Sequence, residues 1–150
     1  MIVGLVNLFC VGLLAGEEFV IRYGVRAPLA RLDQRPHIQF RQELIRSLRV
    51  LVPAVFALAI LSGIAATILD GLDGFDLGFG LRCAGLLALV AFIAVTLTGT
   101  VPINEAALTW DPAAPPQNWQ VQVHRWERLD TARTWAALMA FALFLTAAGV

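Results

Sequence analysis

Four stretches with no charge constrain this chain more than anything else in it. They are Met1–Gly16, Val50–Leu69, Cys83–Ile103 and Thr134–Val150, and the first continues past Glu17 and Glu18 to Ile21. A bilayer core is crossed by a helix of about 20 apolar residues rising about 1.5 Å each. Four runs near that length predict an all-α chain, a four-helix transmembrane bundle in one domain. The helices are expected over about residues 2–24, 46–69, 81–109 and 117–149. Composition agrees: 15% of the residues are charged, whereas a soluble domain has about 25%. A cleaved leader would need a basic segment before the first apolar run. No charge precedes Glu17, so that run reads as a retained helix. Cys10 and Cys83 fall at different depths and read as packing residues, not as a disulfide or metal pair.

Every basic residue is an arginine. Seven (Arg22, Arg26, Arg31, Arg35, Arg41, Arg46, Arg49) lie between the first two helices, and Arg125, Arg128 and Arg133 lie between the last two. The link "DGLDGFDLGFG" is acidic and glycine-rich, with Arg82 at its edge. The positive-inside rule then puts both arginine-rich segments in the cytoplasm and both termini outside. The expected location is a cell membrane, the bacterial inner membrane. Trp110, Trp119, Trp126 and Trp135 fall near the arginine-rich boundary, as an interfacial belt would.

Polar residues gather at that same depth. Glu17 and Glu18 lie roughly 25 Å along the first helix, close to the inner edge of a core about 30 Å thick. Glu18 has Arg22 one turn on, an ordinary pairing. Glu17, offset by about 100°, shares a face with Cys10, Leu13, Leu14 and Ile21. It must find a partner inside the bundle or take up a proton. On the third helix Pro102 removes a backbone hydrogen bond just before Asn104 and Glu105. On the fourth, Trp119, Trp126, Asp130 and Arg133 share a face, and the last two are spaced to neutralise each other. Pro53 sits where a second helix could begin. His37 and His124 have no partner at metal-ligand spacing, so no metal or haem site is read, and His124 is taken as an interfacial donor.

The stretches "YGVRAPLARL", "RQELIRSLRVLVP", "VPINEAALTWDP" and "NWQVQVHRWERLDTAR" together resemble the DUF1772 family, which includes the anthrone oxygenases. The most specific pieces are Pro102-x-Asn104-Glu105 and the spacing of Trp119, Trp126 and Arg133. Asp130 stands where histidine or asparagine is expected in many relatives. The resemblance implies a small four-helix membrane protein that oxidises a lipophilic planar phenol, anthrone or quinol with dioxygen and no bound cofactor. It implies a base, a hydrogen-bond donor and an anion stabiliser, and Glu17, Asn104 and Arg133 are the catalytic candidates for those roles. Trp119, Trp126, Glu105, Asp130 and His124 are candidates for binding the substrate, with tryptophans walling a flat slot. The expected partners are the lipid bilayer and a lipophilic aromatic small molecule, not nucleic acid. Two other readings compete. One is a structural or accessory protein, as a homo-oligomer or a subunit of a larger membrane assembly, suggested by the small residues of "LSGIAATILDG" and "AGLLALVAFIA". The other is a carrier, which would want a polar site at the midplane that these helices lack.

Overall fold

Apolar runs of lipid-spanning length, bounded by "RLDQRP", "LDGFD" and "DPAAPP", leave the chain little choice but long helices. The structure, a computed structural model, describes residues 2–150. Helix α1 (Ile2–Val20) runs through a π-helical turn, Ile21–Val25, into α2 (Arg26–Ala30). Helix α3 (Gln34–Asp73) follows, then α4 (Leu77–Val95), which passes through a second π-helical turn, Thr96–Thr100, into α5 (Val101–Leu108). Helix α6 (Trp119–Ala147) closes the chain. The result is four continuous rods and, among the described residues, no strand. The all-α bundle read from the sequence is the observed class.

Rod packs on rod in the cyclic order α1, α3, α4, α6, so neighbours in sequence are neighbours in space. The rods Ile2–Ala30, Gln34–Asp73 and Leu77–Leu108 are each long and apolar enough to cross a membrane. Of the four expected spans, α6 falls short of the other three. Its first half carries Arg125, Glu127, Arg128, Asp130 and Arg133. Val123, Trp126, Asp130, Arg133, Ala137, Ala140 and Phe144 nonetheless form one buried stripe at helical spacing. Helix α6 therefore turns polar groups toward its neighbours, where partners wait, and needs less apolar sequence to be enclosed.

The core is built on close approach. A Cβ at Gly85 would lie 2.9 Å from the Phe144 ring, and one at Gly63 would lie 3.2 Å from it. The absence of side chains there lets the fully buried Phe144 seat between α3 and α4. Asn7, also fully buried, donates from Nδ2 to the Ala59 carbonyl at 2.9 Å and ties α1 to α3.

One boundary and the setting of two prolines differ from the sequence reading. Helix α3 begins at Gln34, well before residue 46, so the arginine-rich connection is itself helical. Leu, Gln, Glu and Arg are good helix formers, and Pro36 falls in the first turn, where no intrahelical donor is lost. Pro53 is consequently inside a helix, not at its start. Pro102 acts through the π turn before it. The Val101 N–H bonds to the Thr96 carbonyl, one residue farther back than in an α-helix. Thr96, Thr98 and Thr100 each return a hydroxyl to the carbonyl four residues earlier. Pro28 follows the first π turn in the same way.

Candidate functional site

Both π turns and Pro53 border one cavity of about 380 Å³ at the arginine-rich end of the bundle, and every rod contributes to it. A π turn is wider than an α turn and pushes its backbone outward. Two such turns at one level hold the helices apart where a packed core would otherwise close. From the first rod come Glu17, Glu18, Ile21, Val25 and Arg26. Helix α3 contributes His37, Arg41, Leu44, Leu48 and Val52, and the third rod Thr96, Thr100, Asn104 and Glu105. Trp126, Glu127, Asp130 and Arg133 come from α6.

The polar groups are organised by two ion-pair systems. Arg133 donates from Nη2 to Glu18 Oε1 and from Nη1 to Thr100 Oγ1, the latter at 3.4 Å, and its guanidinium lies 4.8 Å over the Phe92 ring. Glu18 and Arg133 are both buried, so the pair welds α1 to α6 out of contact with water. Arg26 forms the second system, reaching Glu127 at 3.6 Å and Asp130 at 3.8 Å. Arg26 also donates to Thr131 Oγ1, as does Arg22. The Glu17 carboxylate enters no ion pair among the described residues, and its Oε2 is buried without a hydrogen-bond partner. Asn104 Oδ1 is likewise buried and unpaired. Glu17 also walls a second, apolar pocket with Leu13, Leu14, Leu51, Val52 and Val55.

Of the residues singled out in the sequence, Glu17, Asn104, Arg133, Trp126, Glu105 and Asp130 line this cavity. Trp119 does not. Its ring meets His37 edge-on at 5.2 Å, in a cluster with Ile38, Trp110 and Val123 beyond the cavity. His124 is not there either; it is exposed and contacts Glu127 from outside at 3.2 Å. Two pairings also differ. Glu18 turns inward to Arg133 and not outward to Arg22, and Asp130 looks to Arg26 and not to Arg133. Trp110 and Trp126 are buried, so the tryptophans do not form a belt facing lipid.

The anthrone oxygenase family model matches residues 42–143, more than half of the chain. The chain belongs to the anthrone oxygenase family. No curated protein and no solved structure matches it. In this family member, Asn104, Trp126, Asp130 and Arg133 fall inside the matched region, while Glu17, Glu18, Arg26, His37 and Arg41 precede it. The cavity is therefore made mostly from the matched segment, with the remainder from the first rod and the start of α3.

Sequence reasoning missed Arg26, His37 and Arg41. The signal was present in the buried stripe His37, Ile38, Arg41, Gln42, which repeats at helical spacing. It becomes visible only when α3 is drawn back to Gln34. Gln42 has a structural task, donating to the carbonyls of Ala107 and Trp110, both at 2.9 Å, where the α5 helix runs out of its own donors.

Proposed function

We propose that this chain is a membrane oxygenase acting on a lipophilic planar phenol, anthrone or quinol, without an organic cofactor. The observation that supports it best is Glu17, a carboxylate without an ion-pair partner on the wall of a largely apolar cavity. The volume falls in the range of small-molecule sites, about 300–1,000 Å³.

An anthrone is acidic at the methylene carbon that becomes the second carbonyl. Glu17 takes a proton from the methylene carbon, and the electrons left behind spread over the ring system and its oxygen. Asn104 and the Glu18-held Arg133 stabilise that oxyanion. The carbanion reduces dioxygen, and carbon–oxygen bond formation gives a hydroperoxide at the former methylene. Loss of the second hydrogen as a proton breaks the oxygen–oxygen bond, leaving a carbonyl and releasing water. One dioxygen thus supplies one oxygen atom to the quinone and one to water. In the cell the arginine-rich end faces the cytoplasm and both termini face outward, since ten of the eleven arginines lie on the cavity side.

The test is oxygen uptake by the purified protein supplied with anthrone, with anthraquinone measured alongside. One dioxygen consumed per quinone, and loss of turnover in Glu17→Gln with folding intact, is the expected result. A fully active Glu17→Gln would remove Glu17 as the base. A second reading, a non-catalytic accessory protein, is favoured by the Glu18–Arg133 and Arg26–Asp130 pairs, which join the first rod to α6 as register-setting contacts would. Folded protein that consumes no anthrone would put that reading first.

A further inference from the structure

We infer that the cavity takes a planar aromatic acid, with the ligand's carboxylate received by Arg41 against the face of Trp126. This deepens the oxygenase reading, because it assumes that the cavity binds a planar ring system. Arg41 and Trp126 both line the cavity, and the guanidinium lies 4.7 Å from the indole centroid. Arg41 is only 5% exposed. Among the described residues it makes no ion pair, and no protein group accepts a hydrogen bond from it. Arg133, the other buried arginine of the cavity, is committed to Glu18; half-buried Arg26 is committed to Glu127 and Asp130, and Arg49 stands exposed at the cavity edge. The carboxylates nearest Arg41 on α6 are therefore already paired with another cation.

Two more nitrogens belong to the same end of the cavity. Trp126 Nε1 and His37 Nε2 are buried without a hydrogen-bond partner, as is Arg41 Nε. His37 is one helical turn before Arg41 on the same face of α3. Arg41 and Trp126, two side chains that donate and have no protein acceptor, form a receptor for an oxyanion, with the His37 ring beside them. Buried donors left unmade are costly, so a ligand that supplies an acceptor here gains from each. Arg41 also suits this task by geometry. Its planar fork matches a carboxylate, and its stacking on Trp126 fixes that fork in place. Glu17 comes from α1 and Arg41 from α3, so one ligand edge would meet a base and another a cation.

The experiment measures binding of two probes of one shape, anthraquinone carboxylate and anthraquinone carboxamide, to the purified protein in phosphatidylcholine nanodiscs. The wild type is expected to hold the carboxylate about tenfold or more tighter, the effect of a charge-assisted hydrogen bond in a buried site. Arg41→Gln should erase that preference. Arg41→Lys, which keeps the charge but not the fork, should retain part of it. Equal binding of the two probes by the wild type would overturn the inference, with no need for a variant to fold. So would a carboxylate preference that survives in Arg41→Gln. If phosphatidylglycerol in the nanodisc displaces the carboxylate probe in an Arg41-dependent way, the receptor serves a lipid phosphate and the aromatic-acid assignment falls. Anthrone turnover is scored separately. A carboxylate preference without turnover supports this inference and removes the oxygenase reading, whereas turnover without a preference does the opposite.

Discussion

Replacing Glu18 by methionine should be among the most damaging single changes in the bundle, and its size follows from what Arg133 would be left with. Glu18 and Arg133 are both nearly inaccessible, at 1% and 7% exposure. Removing one member of such a pair typically costs about 3–5 kcal/mol, because the survivor is a buried charge without compensation. Arg133 would keep Thr100 Oγ1 at 3.4 Å, a long bond, and the Phe92 face at 4.8 Å. A desolvated guanidinium over an aromatic ring retains about 1–2 kcal/mol of attraction. The expected loss for Glu18→Met is therefore at the low end of the range, about 3 kcal/mol. Glu18→Met combined with Arg133→Met removes both charges at similar volume and should return to within about 1 kcal/mol of the parent. Reversible unfolding in mixed detergent micelles, followed by helical circular dichroism, measures all four corners of the cycle. A single substitution costing less than about 1 kcal/mol, or a double variant as unstable as the sum of its parts, would refute the buried-pair argument.

Other expectations follow from contacts in the core. Gly85→Ala pushes a methyl to 2.9 Å from the Phe144 ring, so it should cost about 1–3 kcal/mol in the same unfolding assay. Phe144→Leu in that background should recover part of the loss, and no recovery would count against this contact. Asn7→Ala removes the bond to the Ala59 carbonyl and should cost about 0.6–1.7 kcal/mol, the span measured for interhelical hydrogen bonds in membranes. A neutral result would mean that Asn7 does not tie α1 to α3. Reporter fusions after Gly74 and after Val150 should both report an external location, and a cytoplasmic signal at either site contradicts the orientation argued from the arginines.

The helical rods could be read from the sequence because lipid-length apolar runs admit few other structures. The start of α3 is hidden from any argument from hydropathy, because a charged first third looks like a loop although Gln34–Ile45 is rich in helix formers. The level of the site was legible too, since acids, an amide and a proline recur at one depth. Which acid turns inward was not. The pairing of Glu18 with Arg22 rested on a spacing of four, and that spacing runs into the π turn at Ile21–Val25, where the helix no longer advances by 3.6 residues per turn. Arg22 is carried round to Thr131, and Glu18 meets a partner 115 residues away. Long-range partners leave no periodic trace in a single sequence, so Arg26 could not be assigned to the cavity from spacing alone, and Arg41 only once α3 is extended back to Gln34.

The two π turns also bear on how relatives of this chain can vary in length. Each holds one more residue than an α-helical turn covering the same rise, so it is in effect an insertion absorbed without rotating the helix beyond it. A homologue missing one residue in Thr96–Thr100 would convert the bulge to an ordinary turn, with Leu89 and Phe92 on one side and Asn104 on the other still facing as they do here. The same deletion a turn earlier would swing Asn104 by about 100° out of the cavity. Length changes confined to these two turns would therefore alter the width of the cavity while sparing the packing around it. Glycine would not be the tolerant position there, since a Cβ at Gly99 already meets Leu129 at 2.8 Å. The π turns are where this bundle can lose or gain a residue and remain the same bundle.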